Sequence, residues 1–139
     1  MEHQNSKIIV NGLKVVLGKK TILENIWFDV KEGEFLSILG PSGCGKTTIL
    51  RVLIGLLAPT GGTVTKDGTD ITKFAPSKRG MGIVFQNYAL FENMSVLKNV
   101  EYALRLDKSR KAEARKIAME MLQVVGTGVA MGNAPEPLK

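Results

Sequence analysis

The apolar and polar positions of this chain change period several times, and each change marks an element. Lys7-Ile8-Ile9-Val10 and Lys14-Val15-Val16-Leu17 are short β-type runs on either side of Asn11-Gly12, a pair that favours a hairpin turn. Gly18-Lys19-Lys20 predicts another turn. From Thr21 to Val30, Ile26, Phe28 and Val30 alternate with Trp27 and Asp29, which predicts a half-buried strand. Lys31-Glu32-Gly33 leads into Glu34-Phe35-Leu36-Ser37-Ile38-Leu39, a mostly apolar run of buried-strand length. Further on, Ile49, Leu50, Val52, Leu53, Leu56 and Leu57 fall at helical spacing until Pro59 and Gly61-Gly62 close the element. Thr63 to Lys66, Asp67-Gly68 and Thr69-Asp70-Ile71 predict a second hairpin, and Met81 to Phe85 a short buried strand ending at Gln86.

The last third reads as helical, over about 95–126. Ser95 is the expected N-cap of a helix over 96–106, and Ser109 that of a helix running to Val125. In the latter, Ala114, Ile117, Ala118, Met121, Leu122 and Val125 make one apolar face, with Gly126 as the C′ residue. Residues 1–6 read as a polar tail and 127–139 as a loop or frayed end, so the domain proper is expected over 7–139.

Between the run 34–39 and the helix that follows stands Gly40-Pro41-Ser42-Gly43-Cys44-Gly45-Lys46-Thr47, which fits the phosphate-loop pattern G-x-x-x-x-G-K-[ST]. Gly40, Gly43 and Gly45 let the backbone turn its N–H groups inward, where a β-carbon would obstruct phosphate oxygens. The helix N-terminus adds free N–H groups and a positive dipole end. Lys46 is placed to reach β- and γ-phosphates and Thr47 to ligate Mg²⁺. A glycine-rich turn without a ligand is the bland alternative, and the strand before and helix after it argue against that. Gln86, at the mouth of a short strand, stands where ligands bind in α/β sheets, although spacing alone favours a glutamine that merely begins a polar loop. Asp29 mimics a strand-end Mg²⁺ ligand, but it lies upstream of the loop and in mid-strand, so no metal role is expected of it.

Composition narrows the function classes. The 139 residues suit one domain, and 44% apolar with 23% charged residues is ordinary for a globular protein. The net charge of +6 suits an anionic ligand, nucleic acid or an anionic surface. The densest basic stretch, Arg105 to Lys116, is interleaved with alanines at helical spacing and has no aromatics for base stacking. A solvated helix face follows, with no nucleic-acid partner. The single cysteine, Cys44, excludes an intrachain disulfide and cysteine metal clusters, in keeping with a reducing compartment. The N-terminus has no apolar signal core, and Ile49 to Ala58 is too short to span a bilayer, so any membrane attachment is expected through a partner.

With these residues laid out, the chain resembles the ATP-binding subunit of ABC transporters, of the bacterial importer type that serves polyamines, sugars, iron or phosphonates. The resemblance rests on Lys31 to Phe35, Gly40 to Thr48, Leu50-Arg51, Gly55-Leu56, Pro59 to Gly62, Asp67 to Ile71, Ile83 to Phe91, Met94 to Val96 and Asn99-Val100. It implies an α/β P-loop NTPase fold with an N-terminal antiparallel β subdomain, its sheet truncated after the Gln86 loop and the start of a helical subdomain. It implies ATP and Mg²⁺ as cofactors, held by Gly40, Pro41, Ser42, Gly43, Cys44, Gly45, Lys46, Thr47 and Thr48. Lys46 and Gln86 carry the catalytic roles, and Thr47 and Gln86 the metal. Gln86 becomes the residue that touches Mg²⁺ and the attacking water, with Tyr88 to Val100 facing a transmembrane permease.

Two departures stand out. Where the family has an adenine-stacking aromatic, this chain has Leu17, whose aliphatic side chain packs on a base without a π-face. The chain also stops at Pro135 to Lys139, which resembles the lead-in to the family's Leu-Ser-Gly-Gly-Gln signature. That signature, the carboxylate strand with its catalytic glutamate, and the switch histidine are absent, His3 being the one histidine. The expected function is therefore Mg-ATP binding within a subunit that energises solute import, without hydrolysis by this chain alone. Expected partners are the permease and a second ATP-binding subunit, on the cytoplasmic face of the membrane. A non-catalytic nucleotide-binding or docking module, and a guanylate-kinase-like enzyme, are the alternatives.

Overall fold

The computed structural model describes residues 6–126, in two compact units that divide the chain between Ile83 and Val84. In the first, β1 (Ser6–Leu17), β2 (Lys20–Lys31), β3 (Gly61–Lys66) and β4 (Thr69–Asp70) form one antiparallel sheet in the order β2-β1-β3-β4. Helix α1 (Lys46–Ile54) packs Ile49 and Val52 into a core with Val10, Leu13, Val15, Leu23, Val64 and Ile71.

Asn11-Gly12 is not a hairpin turn. Strand β1 runs straight through it, pairing with β2 on one side and β3 on the other. Val10 faces Phe28 and Leu13 faces Ile26, so three steps along β1 match two along β2, a β-bulge. Gly12, at φ +60°, supplies the conformation the bulge needs. The extra residue reverses the strand's inward parity, which is why Val10, Leu13 and Val15 are all buried although the first is even and the others odd. Ser6, expected in the tail, begins β1 and donates its hydroxyl to Asp29 at 2.7 Å. The true turns lie at Gly18-Lys19, between β1 and β2, and at Asp67-Gly68, as the sequence predicts.

The apolar runs 34–39 and 81–85, expected as buried strands, join no ladder among the described residues. A strand exists only where a neighbour accepts its backbone hydrogen bonds. Lacking that neighbour, Phe35 is 92% and Leu39 90% exposed. Helix α1 also ends sooner than its pattern: Gly55 takes the left-handed conformation and donates its N–H back to Arg51 and Val52, so Leu56 and Leu57 lie beyond the helix.

The second unit contains α2 (Val96–Leu106) and α3 (Ala114–Val124), preceded by a 3-10 turn over Lys111–Glu113. Ser95 caps α2 as expected, its Oγ accepting from the Lys98 N–H at 3.3 Å. Ser109 does not cap α3. Its N–H and hydroxyl both donate to Asp107 Oδ1, at 2.9 and 2.6 Å, in a local turn that holds the Asp107 carboxyl below its usual pKa. The helix starts five residues later. Ala114, Ala118 and Leu122 are its buried row, the last two packed with Leu97, whereas Met121 and Val125 are exposed. Gly126 takes the expected C′ position at φ +74°. The expected loop 127–139 lies outside the described residues.

Glu101 is the anomaly of this unit. It is fully buried, one carboxylate oxygen accepts from Arg105 Nε at 2.6 Å, and the other, Oε1, has no partner among the described residues. Desolvating a carboxylate with half its acceptors unmet is costly, and apolar replacement of such a group is often stabilising. Glu101→Leu is therefore expected to stabilise the helical unit by about 1–3 kcal/mol, read as a higher denaturant midpoint; an unchanged or lower midpoint contradicts that reading.

Candidate functional site

Local chemistry shapes the glycine-rich loop. Gly45, at φ +102°, is the N-cap of α1, and a β-carbon on it would lie 2.5 Å from Leu23 Cδ2 and 3.5 Å from the Ile22 carbonyl oxygen. Only glycine fits there, because the chain must turn left-handed while pressed against β2. Gly40 meets a similar limit: its β-carbon would stand 2.6 Å from Cys44 Sγ. No side chain caps the N-terminus of α1, and its first turn holds no acidic residue. The amides of Lys46, Thr47 and Thr48 thus form a bare, electropositive helix end.

The Lys46 ammonium folds back over the loop, donating to the Gly40 carbonyl and, at 2.7 Å, to the Pro41 carbonyl, with Cys44 Sγ at 3.7 Å. Among the described residues it pairs with no carboxylate, and its charge lies over the loop. Pro41, Ser42, Gly43, Cys44 and Thr47 are exposed, and Thr48 is half-buried. The structure thus brings Gly40 to Thr48 into one turn that carries the Lys46 charge, with Gly45 beside Ile22 and Leu23.

Leu17 lies toward the turn of the same β1–β2 hairpin, paired with Lys20, and is 48% exposed. Val15, two residues earlier, is paired with the Leu23 that touches Gly45. Gln86 belongs to the second unit, exposed in a turn closed by Tyr88 N–H to Phe85 C=O at 2.9 Å. Tyr88 and Ala89 directly after it both have positive φ, +62° and +46°. Two successive non-glycine residues in that region hold local strain, a feature that clusters at functional segments.

Sequence reasoning missed two organising side chains. Asn99 donates its amide to the carbonyls of Phe91, Met94 and Ser95 and accepts from the Phe91 N–H, which fixes the segment leading into α2. Arg79, buried among main-chain carbonyls, is the other. An isolated Asn or Arg carries no spacing signal. Among the described residues no group of three His, Cys, Asp or Glu side chains is placed to hold a metal, and no helix is long and apolar enough to cross a membrane.

The family model described as ABC transporter matches residues 23–134. The chain belongs to that family. Its sequence is 42% identical over 126 residues to the spermidine/putrescine import ATP-binding protein PotA of Bacteroides fragilis, covering 91% of this chain and 27% of the relative. It is 40% identical over 121 residues to the Fe(3+) ions import ATP-binding protein FbpC of Pasteurella multocida, covering 87% and 35%. Among solved structures it resembles a dimeric, post-hydrolysis state of the ATP-binding cassette MJ0796 bound to ADP and Pi. That likeness has a TM-score of 0.79 and 30% identity, covering 95% of this chain and 63% of the other. The chain spans about a third of the length of the curated relatives it matches. These similarities support the α/β ABC-type fold and the ATP-binding class expected from the sequence.

Proposed function

We propose that this ABC family chain is the nucleotide-holding part of a subunit that energises solute import, and that Gly40 to Thr48 bind the phosphates of Mg-ATP. The observation that carries this reading is the loop itself: glycines where β-carbons would collide, bare amides at the start of α1, and a lysine directed over the turn. Phosphate oxygens match that donor set, and they offer Lys46 stronger, charge-assisted partners than the loop carbonyls do. In this reading the Thr47 hydroxyl is one Mg²⁺ ligand. Bound Mg²⁺ neutralises charge on the phosphates.

Leu17 is assigned to the base, as an aliphatic surface on the hairpin beside the loop. Gln86 is assigned to the metal and water, in the strained turn of the second unit. The exposed Tyr88, Leu90 and Phe91 that follow it are assigned to a membrane permease. A second ATP-binding subunit and a position on the cytoplasmic face complete the proposal.

Cys44 provides the direct test. It is exposed within the loop, so a maleimide is expected to label it readily in the free protein. Saturating Mg-ATP is expected to slow that labelling at least tenfold. Labelling at one rate with and without nucleotide would place the loop away from the phosphates.

A further inference from the structure

Arg79 is 4% exposed and, among the described residues, pairs with no carboxylate. Its guanidinium donates only to backbone: Nη1 to Val52 O at 2.9 Å and Leu53 O at 3.1 Å, Nη2 to Thr72 O at 2.9 Å, Nε to Phe74 O at 2.9 Å. Val52 and Leu53 belong to the last turn of α1, at the negative end of its dipole, and the Val52 carbonyl also accepts from the Gly55 N–H at 3.1 Å. Thr72 and Phe74 belong to the loop after β4. The backbone at Arg79 is itself tied to the sheet, because Lys66 Nζ at the end of β3 donates to Arg79 O at 2.8 Å and Gly80 O at 3.1 Å. Gly55 leaves the room required, since a β-carbon there would stand 2.6 Å from Arg79 Nε.

Helix α1 is nine residues long, and its other end carries Lys46 and Thr47. It is therefore fixed at both ends, by Gly45 on Leu23 at the start and by Arg79 at the finish. The apolar packing of Ile49 and Val52 holds the helix on the sheet without direction. The guanidinium's planar fork adds direction, and so sets the rotation and axial position of the helix.

We propose that Arg79 is a positioning residue for the phosphate site: by clamping the C-terminus of α1 to the loop after β4, it fixes where the helix presents its N-terminal amides, Lys46 and Thr47. This rests on the reading of Gly40 to Thr48 as the nucleotide site. Lysine keeps the charge of Arg79 but lacks the fork that bridges helix and loop. Gly55→Ala sets a methyl group against the guanidinium without changing any charge, and also strains the left-handed C-cap at φ +87°, so Arg79→Lys is the cleaner variant.

The test measures Mg-ATP affinity and thermal unfolding separately in the wild type, Arg79→Lys and Gly55→Ala, with affinity taken at temperatures where each is folded. The folded variants are expected to bind Mg-ATP at least fivefold more weakly. Affinities within twofold of wild type, with lowered unfolding temperatures, would make Arg79 a structural residue only and overturn the proposal. In the wild type, coupling is reciprocal, so saturating Mg-ATP is expected to slow hydrogen exchange of the Arg79 Nε–H at least threefold. That NMR measurement decides the matter if neither variant folds, and an unchanged exchange rate overturns the proposal. A wild type that fails to bind Mg-ATP contradicts the assignment of the loop itself, a result distinct from either outcome at Arg79.

Discussion

Purified as its 139 residues, the chain is expected to hold Mg-ATP and to release phosphate no faster than background. Phosphoryl transfer needs a positioned water, a fully held Mg²⁺ and stabilisation of the charge that develops on the transferred group. In the proposed reading the loop at Gly40 to Thr48 is the cradle for phosphate, and Thr47 one metal ligand. By the resemblance, the groups that activate water belong to motifs not found in these 139 residues, which contain no Leu-Ser-Gly-Gly-Gln and no histidine except His3. No apolar strand after the loop ends in a carboxylate pair, and the described residues hold no acidic cluster for a metal. Binding and turnover should therefore separate, and joining the portion of the relatives that this chain does not span should restore turnover. Phosphate release at about 1 s⁻¹ or faster, abolished by Lys46→Ala, would mean that the chemistry resides in other residues than those named here.

How much of this was legible beforehand depends on the range of the forces involved. The loop was legible because its constraints are local: glycine where β-carbons collide, and a lysine and threonine at fixed offsets on a helix start. Ser95 as a cap and the Asp67-Gly68 turn were legible for the same reason. Asn11-Gly12 misled because the dipeptide serves a turn or a bulge equally well. The choice fell to β3, a strand some fifty residues away that gives β1 a second partner. The runs 34–39 and 81–85 have the composition of strands, yet pairing depends on neighbours that composition does not encode. Ser109 looked like a cap by type, but Asp107 two residues earlier captures both its N–H and its hydroxyl. Arg79 was invisible for a different reason. Its partners are four carbonyls drawn from α1 and the loop after β4, and carbonyls carry no sequence identity.

The second large effect is expected at Lys46. Its ammonium is bound within the loop, to two carbonyls and the Cys44 sulfur, so replacing it is expected to leave the fold intact while removing the charge that lies over the proposed phosphate cradle. Charge-assisted contacts to phosphate are roughly twice as strong as neutral ones. A loss of at least tenfold in affinity, about 1.4 kcal/mol, follows for Lys46→Ala, with an unfolding temperature close to that of the wild type. The central claim, that Gly40 to Thr48 hold the phosphates of a nucleotide, is tested most directly by calorimetric titration of Mg-ATP into the wild type and Lys46→Ala side by side. Saturable one-to-one binding by the wild type, weakened at least tenfold in the variant, is the predicted result. Equal affinity in both, or no binding by the folded wild type, would contradict it.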